Sequence, residues 1–255
     1  VSTTPQGDVK VKVDYLAHGS KMKLSIRNTV YDADGKVVAK SLGNKVQQLK
    51  VKNPQLWDIA KGYLYTVKSE LVVNGKVMDT ATTTTGFREV KFDTQKGFFL
   101  NGRNIKINGV CEHHDFGCLG AAVNEDAMHR KLTILRDMGV NAIRSSHNPP
   151  APELLNMCDS MGILVMDESF DMWRRKKSNG DYARFFDEWH KRDLSDLIKR
   201  DRNHPSIIMW SIGNEVLEQW SDAAADTLSL EQANLILNAG HDASTLAHSD
   251  ELSVN

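Results

Sequence analysis

A chain of 255 residues has room for about two domains, and 40% hydrophobic with 25% charged residues is the make-up of an ordinary globular protein. A formal net charge of -1 provides no strong field for DNA, RNA or an anionic membrane, so a neutral partner fits better than a polyanion. Three cysteines (Cys111, Cys118 and Cys158) are too few and odd in number for a disulfide framework, and no apolar run approaches the roughly 20 residues of a membrane span.

Cys111 and Cys118 flank His113 and His114, which raises a metal site as one reading. No second Cys/His pair offers zinc its usual ligand set, so small thiols near a strand end are the other. The first residues, VSTTPQGDVK, do not have the form of a signal peptide, and the abrupt start suggests upstream sequence. The compartment is not written in these residues.

From Val9 to Thr85 the apolar positions alternate. KVKVDYL (Lys10 to Leu16) and LYTVKSELVV (Leu64 to Val73) have the period of two expected of a half-buried antiparallel sheet. Asp34-Gly35 and Asn74-Gly75 sit between such runs as hairpin turns. About 80 residues of short strands without a helix read as a small β-sandwich.

Past Gly86 one more hairpin, Phe98 to Ile107, carries Asn101-Gly102 at its tip, and strands then alternate with helices. Ile105 to Val110, Asn141 to Ser146, Ile163 to Asp167 and Ser206 to Ser211 are the strand candidates. Between them a helix begins after Asn124, with Met128, Leu132, Leu135 and Met138 on one face, and stops at Gly139. Leu154, Leu155, Cys158 and Met161 mark a second helix, and Leu194, Leu197 and Ile198 a third. A fourth is expected near Ser229, where Gln232 completes a capping box.

Apolar strands separated by amphipathic helices imply a parallel sheet. Four such units are half of a (β/α)8 barrel, which takes about 250 residues and eight units. Ile107, Ile143, Val165 and Ile208 are expected on its inner face, and Trp210 in its core. Half a barrel has two open edges, so the chain is expected to self-associate. The domains are expected at 1–86 and 87–255.

Barrel active sites lie at the C-terminal strand ends. Those ends offer His113, His114 and Asp115, then Arg144 and His147, then Asp167, Glu168, Asp171 and Trp173, then Asn214 and Glu215. Each alone is weak evidence, since a lone His is more often structural. Their coincidence at one rim is not.

Two long segments identify the family. DRNHPSIIMWSIGNE (Asp201 to Glu215) and NAIRSSHNPPAPELLNMCDSMGILVM (Asn141 to Met166) resemble the signatures of glycoside hydrolase family 2. GVCEHHDFG, MDESFDMW, NPQLWD, GYLYTV and GFR fall in that family's order, so the resemblance covers essentially the whole chain. It implies an immunoglobulin-like β-sandwich followed by the first half of a TIM barrel. It also implies hydrolysis of a terminal β-linked sugar with retention of configuration.

Residue by residue, the resemblance makes Glu215 the general acid/base and Asn214 a hydrogen-bonding partner of the sugar 2-hydroxyl. His113, His147 and Asp115 match sugar-contacting positions, and Arg144 an arginine of the catalytic floor that pairs with the nucleophile. Met172 and Arg174 stand where metal-dependent β-galactosidases of the family place a Glu and a His. No metal or other cofactor is therefore expected. The nucleophile belongs on a later strand, and Glu218, Glu231 and Glu251 lack that context, so an internal fragment without it is expected. HHDFG with Asp115 favours a β-galactoside. A β-glucuronidase or β-mannosidase parent, a non-catalytic sugar-binding module and an assembly fragment are the alternatives.

Overall fold

The computed structural model describes residues 1–16 and 23–220 of the chain. They fall into two compact units. One comprises Val1–Ser145, Pro150–Asp167 and Ile198–Trp210; the other comprises Ser146–Pro149, Glu168–Leu197 and the described residues from Ser211 onward.

The first unit opens with two antiparallel sheets. Strands β1 (Ser2–Thr3), β2 (Asp8–Lys12), β3 (Leu24–Tyr31), β4 (Val37–Gly43), β5 (Val46–Lys50), β6 (Tyr65–Val73) and β7 (Lys76–Thr85) pair in the orders β1-β2-β5 and β4-β3-β6-β7. Alternate residues of β2 and β5 are buried, as the period of two requires. Val9, Val11 and Leu49 from one sheet meet Val30, Tyr65 and Val67 from the other, with Phe87 among them. Each such burial stabilises by about 1.5–3 kcal/mol.

Asn74 and Gly75 turn β6 into β7 with φ of 50° and 85°, the two positive values of a type I′ hairpin. Asp34-Gly35 forms a wider turn, in which the Asp32 carboxylate accepts from the amides of Asp34 and Lys36. β2 ends at Lys12, short of the expected Leu16. After the Val13 amide bonds Lys45 O, β5 gives no further backbone hydrogen bond to this segment among the described residues, and Leu16 is exposed.

A three-stranded sheet follows, β8 (Val90–Asp93), β9 (Gly97–Leu100) and β10 (Arg103–Asn104), in the order β10-β9-β8. The expected strand Ile105 to Val110 begins later, at Gly109, and Ile105 to Asn108 form a connector. Ile105 N closes onto Phe98 O, and the Asn141 amide side chain binds both Lys106 O and Asn108 N. The next strand, β11, runs Gly109–His113.

Then come α1 (Glu125–Asp137), β12 (Ala142–Ser146), α2 (Pro152–Met161), β13 (Leu164–Glu168), α3 (Phe186–Asp201) and β14 (Ile207–Ser211). Asn124 caps α1 by accepting from the Ala127 amide at 2.9 Å, and Gly162 ends α2 at φ 68°. The four strands form one sheet in the order β11-β12-β13-β14, with β12 and β13 parallel and Ile143 opposite Val165. This is the start of a TIM barrel. The helix expected near Ser229 lies outside the described residues.

The two faces of this sheet are not as the sequence suggests. Ile143, Val165 and Ile207 pack with Leu132, Leu155 and Cys158 on the helix side. Ala142 and Leu164 point the other way, into a cluster with Trp57, Phe98 and Leu100 that Ile208 joins. Ile143 and Val165 are therefore outer-face residues, and Ile107, in the connector, is exposed. Trp210 is 38% exposed and is not core.

The sandwich and the sheet of this unit join at Trp57, which is fully buried and donates to Asp159 O at 2.7 Å. The Asp159 carboxylate is held by His204 Nδ1 at 2.6 Å and the Ser206 amide at 3.0 Å. Arg88 donates to Ile207 O, and burial lowers its pKa to about 10. Gly62 passes so close that a Cβ would lie 2.1 Å from Asp159 O and 2.3 Å from Ser160 O. Only glycine fits there.

Asp167 has the helix-side parity of Val165, so it does not belong to the rim. Neither carboxylate oxygen has a hydrogen bond among the described residues. Burial, and then the neighbouring Asp201 carboxylate, raise its pKa from 3.8 to about 8. A folded-state pKa above the unfolded one means the folded chain holds the extra proton. The resulting stability is complete below pH about 4 and is lost as pH rises toward 8. Asp167→Asn replaces the titrating carboxyl with a neutral amide beside Asp201. The substitution is expected to flatten the stability profile between pH 5 and 8 by about 1–3 kcal/mol relative to the parent, read as urea midpoints at the two pH values.

Candidate active site

In the second unit, the segment after β12 carries His147 and the end of β13 carries Glu168. Glu168 is completely buried, and both of its oxygens are used. His147 Nδ1 lies 2.7 Å from Oε1, and Ser211 Oγ donates to Oε2 at 2.6 Å. A carboxylate taken from water needs such short, charge-assisted partners. The same contact fixes the orientation of the imidazole ring.

Ser211 leads through Ile212 into the Gly213-Asn214-Glu215 turn. Asn214 is buried. Its amide donates to Phe170 O at 3.0 Å, its side chain to Asp171 Oδ1 at 2.9 Å, and its carbonyl accepts from Lys177 Nζ at 2.7 Å. Lys177 also pairs with Asp171 at 2.8 Å. Burial opposes the Asp171 charge, but the hydrogen bonds from Lys177 and Asn214 outweigh it and hold this carboxyl below the usual range. Glu215 follows at φ 42°, exposed, between buried Asn214 and buried Val216.

Gly213 lets this turn close. A Cβ there would lie 2.7 Å from Val216 Cγ1 and 2.8 Å from Trp173 Nε1. Trp173 donates to Ile212 O at 2.8 Å and stacks on Phe186 at 6.2 Å. Phe186 in turn contacts Phe170 and lies flat on His190 at 4.6 Å. The loop from Phe170 to α3 is thus built on an aromatic cluster of its own.

In the first unit, His113 closes β11 and is exposed, with Asp115 two residues on. Both line an open cleft of about 490 Å³ with Glu112, Phe116, Arg130 and Lys131. Lys131 Nζ is 2.6 Å from Glu112 Oε2 and 4.4 Å above the Phe116 ring. Arg144 Nη1 lies 3.8 Å from Cys111 Sγ. His114 turns back onto Ala121 O. Cys111 and Cys118 are exposed and Cys158 is buried. No group of three His, Cys, Asp or Glu residues among those described is placed to hold a metal ion.

Of the residues singled out from sequence, the structure ties His147 to Glu168 and Asn214 to Asp171. His113 and Asp115 share the cleft of the first unit. Sequence reasoning left Glu168 and Asp171 without roles and overlooked Ser211 and Lys177. Glu168 was legible in part, since it shares the parity of Met166 rather than of Asp167. Lys177 carried no signal, because it sits inside the solvated-looking run Arg174 to Lys177.

The sequence matches the family described as glycosyl hydrolases family 2 over residues 1–88, and the TIM barrel domain of that family over 90–245. It is 60% identical over 242 residues to the β-galactosidase BoGH2A of Bacteroides ovatus, covering 91% of this chain and 28% of that protein. A β-glucuronidase of Streptococcus agalactiae is 34% identical over 203 residues, covering 74% of this chain and 33% of that protein. The crystal structure of a β-glycosidase from Bacteroides vulgatus superposes with a TM-score of 0.79 at 36% identity, covering 94% of this chain and 30% of the other. The chain thus spans about a third or less of each of these relatives, but both of its halves match one family in sequence and in fold. The chain belongs to glycoside hydrolase family 2.

Proposed function

We propose that the chain carries the acid/base half of a retaining β-glycosidase site, with residues 1–86 as accessory sandwich and 87–255 as the first half of the catalytic barrel. The observation that carries this reading is the Gly213-Asn214-Glu215 turn, which fastens Asn214 by three hydrogen bonds and leaves Glu215 exposed. Terminal β-galactosides are the preferred substrates. The supporting fact is the 60% identity to a β-galactosidase, against 44% to a putative β-glucuronidase of Formosa agariphila.

On this reading Glu215 gives its proton to the glycosidic oxygen as the bond to the leaving group breaks. As a carboxylate it then takes a proton from the water that releases the sugar from the enzyme. Asn214 donates to the sugar 2-hydroxyl, a contact that strengthens as the ring gains oxocarbenium character. His113, His147 and Asp115 hold other hydroxyls, and Arg144 pairs with the nucleophile. That nucleophile must be a second carboxyl about 5–5.5 Å from the acid. Glu218 is engaged elsewhere, accepting from the Arg175 amide at 2.8 Å.

The 255-residue chain alone is therefore expected not to hydrolyse nitrophenyl β-glycosides above background. Turnover that Glu215→Gln abolishes would place a nucleophile within these residues. Among the described residues no strand pairs with the outer edges of β11 and β14; such edges favour self-association of the isolated chain, and sedimentation equilibrium at micromolar concentration reads this. A monomer without hydrophobic-dye binding overturns it. In the full-length enzyme, Glu215→Gln is expected to slow an unactivated alkyl glycoside by roughly 10²–10⁴-fold, and a dinitrophenyl glycoside far less in its first step. Equal losses on both would remove Glu215 from the acid role.

A further inference from the structure

Lys177 lies on a loop that no motif marks, yet it reaches the acid/base turn directly. Its ammonium donates to Asn214 O at 2.7 Å and to Asp171 Oδ1 at 2.8 Å. Asp171 Oδ1 also accepts from the Asn214 side chain at 2.9 Å. The three groups form a closed triangle around one residue. Asn214 O belongs to the peptide that links Asn214 to Glu215, so the ammonium pins that peptide plane. The residue on its far side is held at φ 42°, in the left-handed region that a non-glycine residue enters only under constraint.

The loop itself is fixed at its other end. The Asp181 carboxylate accepts from the amides of Lys177 and Ser178 through one oxygen and from that of Ala183 through the other. Arg175, two residues before Lys177, is likewise turned inward, to Leu217 O. Arg174 pairs outward with Asp187, where both side chains are mostly exposed. The basic run therefore alternates between solvent and the catalytic turn, and Lys177 is an inward member.

We infer that Lys177, with Asp171, is a positioning residue for Glu215: the ammonium fastens the peptide before the acid/base and sets the direction in which its carboxyl leaves the turn. This rests on the acid/base reading of Glu215 proposed above. Lys177 does not touch the substrate. It acts by orientation, and a misplacement of about 1 Å in a catalytic group can cost on the order of 10²-fold in rate.

The test uses the full-length enzyme and two β-galactosides, one alkyl and one dinitrophenyl. Lys177→Met is expected to lower kcat for the alkyl substrate by about 10- to 100-fold and to leave the bond-breaking step of the dinitrophenyl substrate nearly unchanged. Lys177→Arg, which keeps the charge and the reach, should recover most of the loss. In a Glu215→Gln background Lys177→Met should add no further leaving-group dependence, because the two act on one proton transfer. If the Met variant does not fold, Lys177→Gln and Asp171→Asn serve the same comparison. Equal losses on both substrates, or no loss, overturn the positioning role while Glu215→Gln still shows its leaving-group split. If Glu215→Gln itself shows no split, the acid/base reading fails instead.

Discussion

The alternation of side chains along a strand is the constraint on which this structure depends. In the sheet β11-β12-β13-β14 both faces are in use, so each strand must divide its residues between them. Ile143, Val165 and Ile207 go to the helices, and Arg144, Met166 and Trp210 to the opposite face. A shift of one residue would exchange the two sets. The same count separates Asp167 from Glu168: two adjacent acids at the end of one strand face opposite ways. One belongs to the helix layer, the other to the contact with His147 and Ser211.

Three buried carboxyls illustrate three answers to one problem. A charge removed from water must be paired, hydrogen-bonded or neutralised. Asp159 is paired, with His204 on one oxygen and the Ser206 amide on the other. Glu168 is bridged by His147 and Ser211, which satisfies both oxygens and fixes the ring beside it. Asp167 has no hydrogen-bond partner among the described residues, and the Asp201 carboxylate beside it is itself engaged by Arg200 at 2.6 Å, whose charge offsets burial only in part. Holding the proton is the remaining solution, and this is why its pKa rises.

Packing, not propensity, sets the junction inside the first unit. Trp57 comes from the sandwich segment and makes its hydrogen bond to Asp159 O, near the C-terminal end of α2. It also fills the cluster that Phe98 and Leu100 of the second hairpin complete beneath Ala142 and Leu164. The hairpin thus closes the lower end of the half-barrel, where small or apolar residues begin each strand. At the upper end the strands finish in polar residues, and the division of labour between the ends follows.

The order of elements, the hairpin tips at Asn74-Gly75 and Asn101-Gly102, the Asn124 cap and the Gly162 stop were legible because each depends on residues within a few positions of one another. The Gly213-Asn214-Glu215 turn was legible for the same reason, and the family signatures around it are continuous in sequence. Tertiary structure decided what depends on distant partners. β2 stops where its neighbour stops, and β11 begins only beyond the Asn141 clasp on Lys106 and Asn108. Which of Ile107, Ile143, Val165 and Ile208 face inward followed from register against the helices, which a run of apolar residues cannot reveal. Lys177 reads from sequence as part of a solvated basic run. It becomes a partner of Asn214 only because the loop after β13 folds back over the turn after β14, bringing together residues whose spacing along the chain carries no periodic signal.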